Sequence, residues 1–399
     1  MASRSFDYTG LIAKNIPKPS GIRPAAGRVN YDFTTAFPDP DSFPTEGLQD
    51  ALAKAMKEEG KDLVYYPNPQ GHPGMRQFIV EKLERERGMK VSPDQIILTT
   101  GSGQAVARFV EMLTDPGDTV LTEEFSYSGT MAILRRHGAK LVGVAMDAEG
   151  ILPEALDATI KEQRSKGARV KYLYTIPTFQ NPTGKDMSLR RRQEVLVVAQ
   201  RHGVPIFEDD CYSDLRFAGE TSPAIQSLDQ EGSVLYCGSF SKIVAPGMRL
   251  GFMVAPDRII DYVRGIHLGA TPSQFSILAT LYYLQDHLDE HVQELRDIFR
   301  SKKDTAYAAV GEYMGSSVEC SNPNGGLYLW LKLPEGADTA AVLPKARQGQ
   351  MSYGPGSNFS PGQDAYNYLR LCYGHLTHEV IREGIGKISE FLSREGLLK

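Results

Sequence analysis

The stretch Cys237-Gly-Ser-Phe-Ser-Lys-Ile-Val-Ala-Pro-Gly-Met-Arg-Leu-Gly251 follows a run, residues 233–236, that is typical of a buried strand. A lysine amine such as that of Lys242 forms Schiff bases with carbonyl compounds when it is desolvated or lies near another cation. The hydroxyls of Ser239 and Ser241 and the guanidinium of Arg249 are suitable partners for a phosphate. The stretch therefore predicts a lysine that binds a carbonyl compound beside a phosphate.

Pyridoxal 5′-phosphate (PLP) is a cofactor that carries both a carbonyl group and a phosphate. The alternative is an exposed lysine in an ordinary turn between a strand and a loop, because a motif as short as Ser-x-Ser-Lys also occurs by chance. The other contacts that PLP needs must therefore be sought elsewhere in the chain.

Length and composition favour a two-domain globular protein. The 399 residues exceed the usual size of one domain, and 41% of them are hydrophobic. The net charge of -5 comes without a long basic block, so nucleic acid is not an expected partner. We find no apolar run of the ~18 residues that span a membrane and no signal peptide. The four cysteines are scattered as in proteins with reduced thiols, so we expect a cytoplasmic location.

Short apolar segments alternate with helical patterns from about residue 95 onward. The predicted strands cover residues 95–100, 119–122, 140–144, 170–175, 205–208, 233–237 and 251–254. The predicted helices between them include residues 127–137, 154–167 and 189–202. This pattern predicts an α/β fold with a mostly parallel sheet and helices on both faces. Ligands of such sheets bind at the carboxyl ends of the strands.

The pattern changes beyond about residue 275. A helix over residues 274–300, with a break, precedes strand-like segments and a final helix over residues 378–397. These features predict a smaller α+β domain. We therefore expect an N-terminal arm (residues 1–45) that joins the small domain, a large cofactor-binding domain (46–285) and a small C-terminal domain (286–399).

Polar residues follow the predicted strands of the large domain. The turn Gly101-Ser-Gly103 lies between a strand and a helix, where free N–H groups and the helix dipole bind anions. Glu208, Asp209 and Asp210 end another strand. PLP needs an acidic partner to keep its pyridine nitrogen protonated. Asp209 is the preferred candidate, with Glu208 and Asp210 as competitors.

The lysine stretch, together with Asn181-Pro-Thr-Gly184 and Asn324-Gly-Gly-Leu-Tyr-Leu-Trp330, resembles the fold-type I PLP enzymes. The resemblance covers nearly the whole chain and is to the class I and II aminotransferases. Within that family the chain is most similar to the 2-aminoadipate and kynurenine aminotransferases and to related regulator domains. Since we see no DNA-binding module, a regulator is disfavoured.

The resemblance implies a role for each matched residue. It implies that Lys242, Asp209 and Tyr127 are catalytic, that Asp209 contacts the pyridine nitrogen of PLP and that Tyr127 stacks on the pyridine ring. The implied cofactor-binding residues are Ser102, Gly103, Tyr127, Asn181, Asp209, Tyr212, Ser239, Ser241, Lys242, Arg249 and Tyr66. Tyr66 resembles a tyrosine that reaches the cofactor of the neighbouring subunit, which implies a homodimer with shared active sites.

On the substrate side the resemblance places Arg370 and Asn181 at the α-carboxylate of an amino acid. A planar guanidinium binds a carboxylate through two hydrogen bonds. Ala36 replaces a glycine that usually lines the substrate pocket, and Arg23 is a candidate partner for a side-chain carboxylate. These departures leave the donor substrate open.

The expected activity is transfer of an amino group from an L-amino acid to a 2-oxo acid, with 2-oxoglutarate as the expected acceptor, through a Schiff base on Lys242. The alternative is a PLP enzyme that eliminates or replaces a β- or γ-substituent or forms a ring, because such enzymes need the same cofactor contacts.

Two other patterns favour ordinary helix surfaces. His287 and His291 lie four residues apart, but the glutamate between them is not in the position of the zinc protease motif. Lys302 belongs to a basic helix face. We therefore expect no metal site and a solvated helix face at these residues.

Overall fold

The computed structural model describes residues 6–8, 10–13, 16, 29–266, 269 and 271–398. The helices are α1 (Thr45–Glu58), α2 (Pro73–Arg87), α3 (Ser102–Leu113), α4 (Ser128–Arg136), α5 (Pro153–Ser165), α6 (Leu189–Arg201), α7 (Ile225–Leu228), α8 (Asp257–Ile266), α9 (Gln274–Met314), α10 (Thr339–Gln348) and α11 (His378–Arg394). The strands are β1 (Tyr31–Asp32), β2 (Ile96–Thr99), β3 (Thr119–Glu123), β4 (Lys140–Val144), β5 (Met146–Asp147), β6 (Gly150–Ile151), β7 (Val170–Thr175), β8 (Ile206–Asp210), β9 (Val234–Ser239), β10 (Gly251–Val254), β11 (Glu319–Cys320), β12 (Tyr328–Lys332), β13 (Met351–Ser352), β14 (Gly354–Pro355) and β15 (Tyr368–Cys372). Among the helices of these ranges, none has the length and apolar character needed to cross a membrane.

The central sheet has the strand order β2-β10-β9-β8-β7-β3-β4. Its neighbouring strands are parallel except at β10, which runs antiparallel to both β2 and β9. On β8, Ile206 lies in an apolar cluster with Leu156 of α5 and Val195 of α6. The next residue, Phe207, contacts Phe109 of α3, with ring centroids 4.8 Å apart. Helices therefore cover both faces, and the predicted α/β fold with a mostly parallel sheet is confirmed.

A second sheet, β11-β12-β15-β14, is antiparallel and has its own apolar core. Leu329 and Leu371 of this sheet lie in one cluster with Ile385 of α11. The N-terminal strand β1 pairs with β13, and Phe33 is buried in the same cluster. We propose that the separate cores mark the large and small domains that the sequence predicts, and that the arm belongs to the smaller one.

One continuous helix of 41 residues, α9, connects the two cores. Leu284 lies in the core of the large sheet, whereas Ala306 and Val310 lie in the core of the small sheet. The predicted break is therefore wrong, as is the predicted end near residue 300, because the helix buries one face in each core. The predicted domain limit between residues 285 and 286 falls inside this helix.

Two side chains of α9 that we expected on a solvated face are buried. His291 is 4% exposed, and its Nε2 lies 2.6 Å from the carbonyl oxygen of Ile243. Lys302 is 6% exposed, forms an ion pair with Asp39 and donates to the carbonyl oxygen of Gly374 at 2.9 Å. Both expectations are wrong because partners from distant segments, which the helix pattern does not reveal, pack on these side chains.

The start of β10 touches the turn that precedes α3. A Cβ on Gly251 would lie 2.8 Å from the carbonyl carbon of Gly101 and 2.8 Å from the amide nitrogen of Ser102. Both atoms belong to the backbone, so neither can rotate away. Glycine is therefore needed at position 251 to let the lysine stretch pack against this turn.

The substitution Gly251→Ala should lower the free energy of unfolding by about 1–3 kcal/mol, as forced overpacking usually does. Urea unfolding followed by circular dichroism measures the change. Gly247→Ala is the matched control, because a Cβ at Gly247 would meet no atom within 4 Å. The control should change stability by less than about 0.5 kcal/mol, and equal effects of the two substitutions would contradict the close contact.

Candidate active site

A cavity of about 230 Å³ lies at the carboxyl ends of β7, β8 and β9, beside the first turn of α3. The cavity wall holds residues from segments that are far apart in the sequence. The lining residues are Gly101, Ser102, Gly103, Tyr127, Ile176, Asn181, Asp209, Cys211, Tyr212, Ser239, Ser241, Lys242, Pro246 and Arg249. The structure thus brings together all the predicted cofactor-binding residues except Tyr66.

Lys242 follows the end of β9, and its amine is directed at the N-terminal segment. Its Nζ donates a hydrogen bond to the carbonyl oxygen of Ala36 at 2.6 Å. Burial lowers the pKa of this amine, and the positive charge of Arg370 acts in the same direction. More of the neutral amine, the form that attacks a carbonyl carbon, is therefore present than at an exposed lysine.

Three consecutive acids are buried in β8, and the pleat of the strand sends them to opposite faces. Glu208 accepts hydrogen bonds from two backbone N–H groups at the start of α7. Asp210 pairs with Arg87, whose Nε lies 2.7 Å from its carboxylate. Asp209 lines the cavity, whereas its two competitors do not. Of the three candidates, the structure therefore leaves Asp209 to contact a ligand there.

The carboxylate of Asp209 receives a donor on each oxygen. The hydroxyl of Tyr174 donates to Oδ2 at 2.6 Å, and the thiol of Cys211 donates to Oδ1 at 2.9 Å. Burial raises the pKa of Asp209, and these donors oppose that shift because they stabilise the ionised form.

The anion-binding candidates lie around the same cavity. Gly101 has a φ of +84° and precedes the first residue of α3. Arg249, with a φ of +50°, donates to the carbonyl oxygen of Thr100 at 2.7 Å. The amide of Ser241 donates to the hydroxyl of Ser239 at 3.1 Å. A helix N-terminus, two hydroxyls and a guanidinium thus surround a space that suits a dianion.

Arg370 is linked to the cavity through Asn181. One guanidinium nitrogen of Arg370 donates to Oδ1 of Asn181 at 2.7 Å, and another donates to the carbonyl oxygen of Thr34 at 2.5 Å. The amide nitrogen of Asn181 donates to the hydroxyl of Tyr212 at 3.3 Å. Asn181 therefore connects the guanidinium to the wall of the cavity.

Aromatic rings enclose the guanidinium of Arg370. Its central carbon lies 4.6 Å from the ring centroid of Phe359 and 5.4 Å from that of Tyr328. The buried Nε of Arg370 has no hydrogen-bond partner among the residues that the structure describes. A buried cation with an unused donor is suited to bind a carboxylate.

The residues present fit PLP. Lys242 provides a partly neutral amine for a carbonyl group, and Asp209 provides a buried acid for a ring nitrogen. Gly101, with its φ of +84°, has a backbone conformation that residues with a Cβ rarely adopt, and it places the guanidinium of Arg249 beside the start of α3, where a phosphate would fit.

Of the predicted site residues that the structure describes, Tyr66, Ala36 and Arg370 do not line this cavity. Ala36 and Arg370 contact Lys242 and Asn181, which do line it, whereas the side chain of Tyr66 is fully exposed on the single chain. Arg23 lies outside the described residues.

Sequence reasoning missed four contributors to the site. Cys211 follows the predicted Asp209 by two positions and could have been noticed there. Tyr174 lies within a predicted strand, and its hydrogen bond to Asp209 depends on the pairing of β7 with β8. The carbonyl oxygen of Thr34 and the ring of Phe359 carry no sequence signal, because any residue offers a carbonyl group and apolar rings usually pack in cores.

Comparison with known proteins identifies the family. The model of the family "Aminotransferase class I and II" matches residues 39–388. The chain is 31% identical, over 363 residues, to the aromatic-amino-acid aminotransferase 1 of Thermococcus litoralis, an alignment that covers 90% of this chain and 87% of the relative.

Two solved structures resemble the chain closely. The Pyrococcus horikoshii kynurenine aminotransferase, solved in complex with PMP, has a TM-score of 0.88 and 31% identity, covering 93% of this chain and 92% of that one. The α-aminoadipate aminotransferase LysN of Thermus thermophilus, solved with N-(5′-phosphopyridoxyl)-L-leucine, has a TM-score of 0.87 and 29% identity, covering 98% of this chain and 99% of that one. The chain therefore belongs to the class I and II aminotransferases and is a PLP-dependent enzyme that transfers amino groups.

Proposed function

We propose that the enzyme moves the amino group of an L-amino acid to 2-oxoglutarate at the cavity that Lys242 lines. The proposal is supported above all by one observation: Lys242, Asp209 and the Asn181–Arg370 pair converge on this cavity. They provide an amine, an acid and a carboxylate-binding cation, which are the groups that the reaction requires.

When bound, PLP supplies an electron-poor ring that weakens the bond between the substrate's Cα and its proton. We propose that Asp209 binds the ring nitrogen and that Asn181 and Tyr212 donate to the ring oxygen. Tyr127 would pack on the ring, and the N–H groups at Ser102 and Gly103 would hold the phosphate together with the side chains of Ser239, Ser241 and Arg249.

Lys242 is proposed to act as the base for the Cα proton. Its lowered pKa favours the neutral amine, which can accept a proton. To do so, the Nζ of Lys242 must leave the carbonyl oxygen of Ala36, its partner in this structure.

Arg370 is proposed to bind the α-carboxylate of both substrates. Its free Nε and its contact with Asn181 place donors beside the cavity, and Phe359 and Tyr328 exclude water from the guanidinium. The side chain of the amino acid then lies near the N-terminal segment around Ala36, with Arg23 as a partner for a carboxylate on longer substrates. The relatives named above act on aromatic amino acids, kynurenine or 2-aminoadipate, so these are the donors to test first.

Each of these amino acids, incubated with 2-oxoglutarate, should yield glutamate and the matching 2-oxo acid in equal amounts if it is the donor. Chromatography of both products measures this ratio. Lys242→Ala is the control, and it should lose both turnover and the near-visible absorbance of the bound cofactor. Release of ammonia, or of an oxo acid without glutamate, would instead favour the elimination, replacement or cyclisation reactions.

The substitution Arg370→Lys should lower kcat/KM for the amino acid by roughly 10–100-fold, because one charged hydrogen bond is worth about 1.5–3 kcal/mol. Steady-state kinetics measure the loss, and the cofactor absorbance should stay unchanged. The matched test substrate is the amine that lacks the α-carboxylate. If the substitution lowers kcat/KM for this amine as much as it lowers kcat/KM for the amino acid, Arg370 does not bind the carboxylate.

We also propose a homodimer in which Tyr66 reaches the cofactor of the partner subunit. Val64, Tyr65 and Tyr66 are 79%, 73% and 102% exposed on the single chain. Neighbouring exposed apolar side chains of this size are typical of an interaction surface.

Mixed dimers test this arrangement. Co-refolding of Lys242→Ala with Tyr66→Ala subunits should give more activity than either variant alone, because one of the two shared sites then carries neither change. Activity equal to the average of the separate variants, at any mixing ratio, would exclude a shared site.

A cytoplasmic location is the remaining proposal. All four cysteines are free thiols, which is typical of a reducing compartment. Detection of the protein only in a non-cytoplasmic fraction of its source cells would contradict it.

A further inference from the structure

Tyr172 and Tyr174 lie two residues apart on β7, and both are almost completely buried. The hydroxyl of Tyr172 is hydrogen-bonded to Thr114 at 2.8 Å. The hydroxyl of Tyr174 accepts a hydrogen bond from Thr130 at 3.0 Å and lies 2.6 Å from Asp209. The two tyrosines thus have similar surroundings, and the contact of Tyr174 with Asp209 sets them apart.

The hydroxyl proton of Tyr174 points toward Asp209. Because its oxygen accepts from Thr130, its own O–H is left to donate to Oδ2 of Asp209. Burial and the charge of Asp209 raise the pKa of Tyr174 well above its usual range, so the hydroxyl stays protonated. A chain of hydrogen bonds therefore runs from α4 through β7 to the acid on β8.

The two oxygens of Asp209 have different surroundings. Oδ2 is bound by Tyr174, which is fully buried and does not line the cavity. Oδ1 is bound by the thiol of Cys211, which does line the cavity and is a weak donor. Oδ1 is therefore the oxygen that a ligand in the cavity can reach.

We propose that Tyr174 is a positioning residue that holds Oδ2 of Asp209, so that Oδ1 faces the ring nitrogen of the cofactor. Thr130 supports it by occupying the acceptor side of the tyrosine hydroxyl. This inference rests on the proposed role of Asp209. A carboxylate that is free to rotate would align less well with the ring, and the ring would then be held less tightly.

Titration of PLP into the cofactor-free variants, followed by absorbance, tests the proposal. Tyr174→Phe should weaken PLP binding roughly 10–100-fold, the effect of losing one hydrogen bond to a charged group. It should also reduce the near-visible circular dichroism of the bound cofactor, which reports ring orientation. Thr130→Val should weaken binding by a smaller factor and serves as the second variant if Tyr174→Phe fails to fold.

Tyr172→Phe is the matched control, because Tyr172 lies on the same strand as Tyr174 and its buried hydroxyl also bonds to a threonine, Thr114 at the end of α3. It should lower the midpoint of urea unfolding about as much as Tyr174→Phe does but leave PLP affinity within about twofold of wild type. If Tyr174→Phe and Thr130→Val bind PLP as Tyr172→Phe does, Tyr174 has only a structural role and the inference is overturned.

The variant Asp209→Asn distinguishes a failure of this inference from a failure of the proposed role of Asp209. If Asp209→Asn weakens PLP binding while Tyr174→Phe and Thr130→Val do not, the role of Asp209 stands and that of Tyr174 fails. If Asp209→Asn binds PLP as wild type does, the proposed role of Asp209 fails, and the role of Tyr174 fails with it.

Discussion

Glu208, Asp209 and Asp210 are three acids in succession in the middle of the central sheet, and the site depends on how their charges are balanced. A buried carboxylate without partners is strongly destabilising. The pleat of β8 turns Glu208 toward Arg192 of α6 and Asp210 toward Arg87 of α2. Glu208 and Asp210 form ion pairs with arginines on one face of the sheet. Asp209 points to the opposite face and is the one of the three acids that lines the cavity.

The main chain of the N-terminal segment, residues 33–39, contacts both Arg370 and Lys242. The carbonyl oxygen of Thr34 accepts from Arg370, and that of Ala36 accepts from Lys242. The segment is anchored by Asp39, whose carboxylate is buried in an ion pair with α9. The groups assigned to the substrate's carboxylate and to its Cα proton are thus both in contact with this segment, so its position affects both.

The proposed cofactor side and the proposed substrate side are built differently. The cofactor side uses the ends of paired strands and the first turn of a helix, which are held rigidly by the sheet and its covering helices. The proposed substrate side consists of residues 33–39, residues 356–359 and β15, which belong largely to the small sheet and to irregular chain. Changes in these segments can alter the substrate pocket while the sheet that carries Lys242 and Asp209 keeps its geometry. This division is in keeping with a family whose members share the fold and differ in the amino acids for which they are named.

The sequence by itself determined the α/β fold, the strand ends that carry the site and the lysine stretch. Those features are local, because buried parallel strands must be apolar and an anion-binding turn needs glycine next to a helix start. Only the tertiary structure decided which of the three acids faces the cavity, which tyrosine of β7 supports it, and that Lys302 of α9 is buried. These outcomes depend on pairs such as Tyr174 with Asp209, 35 positions apart, and Lys302 with Asp39, 263 positions apart. Helical or strand periodicity assigns a side chain to a face, but the partner on that face is set by the packing of distant segments.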